Sequence, residues 1–64
     1  MITVMYEING VMYSQGQPIS KELRNLPRTW HVVRSGAKHG PAYGSRNLAR
    51  VAARLERKKA ARAA

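Results

Sequence analysis

Two alternating runs near the start of the chain, ITVMYEI and VMYSQ, are separated by the dipeptide Asn9-Gly10. A type I′ hairpin loop needs positive φ at both central residues, and Asn followed by Gly adopts that backbone most readily. The dipeptide therefore predicts a β-hairpin over residues 2–15 and fixes its register. Ile8 falls opposite Val11, Tyr6 opposite Tyr13 and Val4 opposite Gln15. Ile2, Val4, Tyr6, Ile8, Val11 and Tyr13 then share one face, the one expected to pack. Thr3, Met5, Glu7, Met12 and Ser14 form the other, which reads as solvent-facing. Met5 and Met12 on it are either scattered exposed residues or an adaptable contact surface.

A lone hairpin is barely stable in water, so a further strand is needed. Residues 29–34, TWHVVR, are rich in β-branched and aromatic types and supply it, with Trp30 and Val32 inward and His31 and Val33 outward. Between these strands, residues 15–18 read as a turn. Ser20 is placed to cap a short helical piece over residues 21–26, which Pro27 ends, with Leu23 and Leu26 as its apolar edge. Residues 35–44, SGAKHGPAYG, carry Gly36, Gly40, Gly44 and Pro41 and are expected to form the main loop. Lys38, His39 and Gly40 in that loop could cradle a phosphate ahead of a helix N-terminus, although a plain connector is the commoner use of such a stretch.

Residues 45–64 form the second strong signal. Leu48, Val51, Ala52 and Leu55 fall at i, i+3, i+4 and i+7, a helical stripe expected to pack against the hairpin. Arg46, Arg50, Arg54 and Lys58 step by four along a separate ridge, with Arg57 beside it. Ala49, Ala53, Ala60, Ala61 and Ala63 add helix propensity, and Ser45 is a candidate N-cap. The apolar stripe stops at Leu55, so the last two turns are expected to project from the body. The sum is a single small α+β domain: a three-stranded antiparallel sheet and one long basic amphipathic C-terminal helix.

Charge then limits function. Twelve Lys and Arg stand against three acids, a formal net charge of +9. Residues 1–20 hold only Glu7, whereas residues 21–64 hold all twelve bases and the other two acids, Glu22 and Glu56. Such an excess implies a polyanionic partner. Side chains four apart on a helix are about 6 Å apart and can track phosphates, and the Arg fork suits phosphate oxygens and guanine edges. A solvated helix face would interleave Glu for i,i+4 pairs, and this one has only Glu56. The expected partner is nucleic acid, DNA or RNA, contacted mainly at the phosphate backbone through Arg46, Arg50, Arg54, Arg57 and Lys58, with Arg34, Lys38 and His39 in support. Tyr43 is a candidate for stacking on a base, while Trp30 is expected in the core. The alternative is a small regulatory or inhibitory protein that docks on an acidic surface of a larger protein complex.

Several classes are set aside. With no Cys, no Asp and two His, the chain offers no thiolate, no disulfide and too few ligands for a metal site, and no cofactor is implied. Nucleotide-binding glycine motifs are lacking, and His31 and His39 alone do not make an active site, so the chain is not read as an enzyme. No apolar run nears the roughly 18 residues of a membrane span, and no secretory signal opens the sequence. The expectation is a soluble, cytoplasmic protein without a membrane partner. The predicted topology is similar to sheet-and-helix units found in some DNA-binding domains, without the ligands of zinc fingers or the heptads of basic zippers. Its general look is that of small basic phage-encoded or mobile-element proteins.

Overall fold

The computed structural model describes residues 1–63. Strands β1 (Ile2–Ile8), β2 (Val11–Ser14), β3 (Thr29–Arg34) and β4 (Ala37–Tyr43) form one antiparallel sheet in the order β2-β1-β3-β4. Helix α1 (Lys21–Arg24) sits in the β2–β3 connection, and α2 (Arg46–Ala63) follows β4. Residue 64, to which the expected helix extended, lies outside the described residues.

The hairpin forms as its turn chemistry requires. Asn9 has φ 50° and Gly10 φ 81°, and Ile8 pairs with Val11 and Tyr6 with Tyr13. Gln15 lies just past the end of β2, and its side-chain amide donates to the Val4 carbonyl at 3.2 Å. A turn follows at residues 14–17, closed by Gln17 N–H to Ser14 C=O. Ser20 caps α1, its hydroxyl accepting from Leu23 N–H, and the helix is shorter than expected, with Asn25 as its C-cap. Because β2 and β3 both run antiparallel to β1, the connection between them must cross that strand. Its last residue, Arg28, lies 4.7 Å over the Tyr6 ring, which places the crossing on the face that also carries α2.

Two expectations are corrected. The stretch over residues 35–44 is not the main loop: residues 37–43 form β4, so the sheet has four strands. Ser35 (φ 52°) and Gly36 (φ 82°) make a second two-residue hairpin turn, joining Arg34 to its partner Ala37. The glycines that suggested a loop serve a strand with an irregularity. Val32 pairs with His39 but Trp30 pairs with Tyr43, two residues beyond where regular pairing would put it, and Gly40 (φ 82°) and Pro41 occupy the extra length.

The second correction concerns which side of α2 packs. Ala49 and Ala53 are 0% exposed and join Val4 and Val32 in the buried cluster, with Ile2, Trp30, Tyr43 and Ala52 packed around it. Leu48, Val51 and Leu55 are instead 57%, 54% and 53% exposed. The cause is distance. A sheet with Val4 and Val32 at its centre admits a helix closely when methyl groups face it, and Leu side chains there would hold the helix away. Ala52, in the expected stripe, is half-buried at the margin. Ser45 caps the helix as expected, accepting from Leu48 N–H at 3.3 Å.

Trp30 and Val32 do face inward. Toward the Asn9-Gly10 end the packing continues through Tyr6, whose ring stacks on Tyr13 at 5.6 Å and meets Trp30 at 5.2 Å, and through Ile8 at 1% exposure. Val11, expected inward, is exposed, because β2 is an edge strand that α2 does not cover. The opposite sheet face is not simply solvated: His31 and Val33 on central β3 are buried there.

Candidate nucleic-acid interface

An α-helix is about 10–12 Å across with its side chains, and neighbouring strands lie about 4.8 Å apart. One helix therefore cannot cover four strands. Helix α2 lies on β1, β3 and β4 and leaves β2 bare. Strand β2 is also three residues shorter than β1, so residues 2–4 of β1 have no β2 partner. The step between the bare edge and the helix is a groove of about 500 Å³, lined by Thr3, Val4 and Met5 of β1, by Ser14 and Gln15, and by Arg50, Arg54 and Arg57 of α2.

Backbone groups in the unpaired part of β1 need partners, and side chains provide them. Arg57 donates through Nε (3.3 Å) and Nη2 (3.0 Å) to the Ile2 carbonyl, and Gln15 donates to that of Val4. Arg57 is thereby held across the mouth of the groove with its remaining N–H groups free to meet an anion. Arg54 and Arg50 stand one and two turns upstream on the same side of the helix. Among the described residues, none that lines the groove is acidic.

The structure divides the sequence-derived candidates. Arg50, Arg54 and Arg57 come together. Arg46 and Lys58 are exposed on α2 but do not line the groove, and Arg34 is exposed at the end of β3. Lys38 is on the far face of the sheet, where its Nζ donates to Glu7 Oε1 at 2.9 Å. The same carboxylate oxygen accepts from His31 Nε2 at 2.8 Å, and Thr29 Oγ1 lies 3.2 Å from that nitrogen. Lys38 above all, and then His31, hold the Glu7 carboxyl below its ordinary pKa against the opposing effect of desolvation. His39 is in the seam between β4 and α2, its Nε2 donating to Glu56 Oε2 at 3.1 Å, while Lys59 lies 3.7 Å from Glu56 Oε1. With residues 37–43 in a strand, Lys38, His39 and Gly40 do not precede a helix N-terminus. Tyr43 packs against the core cluster.

The residues that reading the sequence missed are Thr3, Val4, Met5, Ser14 and Gln15. Their signal was the unequal length of the two hairpin strands, which leaves one side of β1 open. Among the described residues, no three His, Asp or Glu side chains gather to hold a metal, and no helix is long and apolar enough to cross a membrane. Compared with known protein families, with characterised proteins and with solved structures, the chain finds no match in any of the three.

Proposed function

We propose that the protein binds nucleic acid by its phosphate backbone, seating it along the groove between α2 and the β2 edge. The observation that carries this reading is the convergence of Arg50, Arg54 and Arg57 on one groove that, among the described residues, no carboxylate lines. Guanidinium groups suit this use because their planar forks match phosphate oxygens in pairs. Packing of Ala49 and Ala53 holds the helix backbone still beneath them. Arg46 and Lys58 extend the same charged side beyond the groove, and the net charge of +9 draws a polyanion from a distance. Recognition of this kind is modest in sequence preference, since phosphates carry no base information.

Titration of labelled duplex DNA, single-stranded DNA and RNA at two salt concentrations tests the proposal. With four to five phosphates neutralised, log K against log salt falls with a slope of about −4 for duplex DNA. Absence of binding to all three at about 50 mM salt, where such contacts are strong, overturns it.

A further inference from the structure

We propose that the exposed stripe Leu48, Val51 and Leu55 is a second binding surface, and that its occupant is an acidic amphipathic helix of another protein. These three residues are each more than half exposed, although they are the largest aliphatic side chains on α2. They lie on the flank away from the Arg groove, past the Glu56–His39 contact that ties the helix to β4. Their spacing, +3 and then +4, is that of one a-d-a step of a coiled-coil seam. At about 1.5 Å per residue the step is roughly 10 Å long, two turns that a partner helix can match. Continued by the same rule, the next d and a positions are Lys58 and Arg62. Lys59 and Arg54 occupy the flanking e and g positions, which in such pairs choose the partner by charge.

Charge complementarity therefore selects an acidic occupant. Glu56, the one acid on α2, is turned to His39 and Lys59, and so offsets Lys59 but not Arg54, Lys58 or Arg62. A second copy of the chain fits poorly. Parallel pairing would set Lys58 and Arg62 against themselves, and antiparallel pairing would leave three aliphatic residues a side to hold together two molecules of charge +9. A helix with Leu opposite the stripe and Glu opposite Arg54, Lys58, Lys59 and Arg62 gains from both terms. This surface does not depend on the nucleic-acid reading, which is carried by the groove on the other flank of α2; Arg54 and Lys58 stand on the margin that the two surfaces share.

The test uses the full chain and a designed helical peptide of about 20 residues, with Leu at the seam and Glu at the flanking positions. Two control peptides replace the seam Leu by Ser, or the Glu by Lys. At physiological salt the acidic apolar peptide binds, and each control binds at least tenfold more weakly. Leu48→Ser/Leu55→Ser weakens peptide binding by a similar factor with an unchanged circular dichroism spectrum, whereas Arg46→Ala/Arg50→Ala weakens nucleic-acid binding and leaves the peptide bound. Equal affinity for the Ser-seam peptide overturns the proposal, because attraction would then be to negative charge alone. So does a concentration-dependent dimer that Leu48→Ser/Leu55→Ser abolishes, which would make the occupant a second copy. Tighter binding of anionic lipid vesicles through the same stripe would assign it to a lipid surface and overturn it as well.

Discussion

The two flanks of α2 use side chains in opposite ways. On one, polar side chains are tied to the body: Arg57 holds the Ile2 carbonyl, and Arg50 and Arg54 wall a groove against β1. On the other, Leu48, Val51 and Leu55 extend into solvent, and Glu56, itself beside Lys59, links that side to β4 through His39. Between them the contact with the sheet rests on alanines. The difference teaches that a helix is located by the residues that permit close approach, and that its most hydrophobic positions can be left over for other work.

The sharpest way to break this comparison is to exchange the roles of small and large residues. Ala53→Leu forces three extra carbons between α2 and Val4 or Val32 and should cost about 1–3 kcal/mol. For a domain this small that is a fall in Tm of roughly 4–8 °C per kcal/mol, readable by thermal circular dichroism. Unchanged stability would mean the Leu face can turn inward and the flanks are interchangeable.

Removing charge from one flank sharpens the contrast. Arg50→Ala/Arg54→Ala should flatten the salt slope of duplex binding by about 2 and act mainly by faster dissociation. The triple change Lys58→Ala/Lys59→Ala/Arg62→Ala, on the last turns of α2, should chiefly slow association. Stopped-flow kinetics separates the two, and the reverse pattern would move the interface to the end of the helix.

A smaller effect comes from the far face of the sheet and serves as a control on both flanks. Glu7 has its folded-state pKa below its unfolded value, so its contribution to stability is present above the unfolded value and is lost as pH falls through the folded one. Urea midpoints measured down through the carboxylate range should therefore decline less steeply for Glu7→Gln than for the parent chain. Equal slopes would mean that the Lys38 and His31 contacts do not persist in solution. The smallest change is expected of Leu48→Ala/Leu55→Ala, each within about 0.5 kcal/mol of neutral because surface side chains away from packing contribute little. A loss of several kcal/mol would show that this stripe is part of the core after all.

How far the fold could be read in advance is clear from its two hairpin turns. Asn9-Gly10 and Ser35-Gly36 have nearly the same backbone, φ 50° and 81° against 52° and 82°. The first was legible because alternating β-branched and aromatic residues flank it. The second was not, because Ala37-Lys38-His39-Gly40-Pro41 has little strand propensity of its own, and β4 exists through pairing with β3. The helix was legible from its period, its cap and its alanines. Its packed face was misread because hydrophobicity was weighed and room was not. Of the candidate interface, the Arg row followed from spacing alone, but the opposing wall depends on where β2 stops relative to β1; the unequal runs around Asn9-Gly10 indicate this in part, and the rest is set by tertiary structure, which leaves Gln15 outside the strand.

The interruption at Gly40 and Pro41 has a consequence for how this molecule meets others. Strand β4 is the longer of the two sheet edges, seven residues against four in β2. A flat edge of that length would accept a strand from a neighbouring molecule and template aggregation. Pro41 has no N–H to donate, and the irregular pairing around it bends the row of hydrogen-bonding groups out of line. Cross-β stacking through β4 is thus blocked at its middle, and a chain with a bare apolar stripe on its helix can be crowded without its sheets fusing.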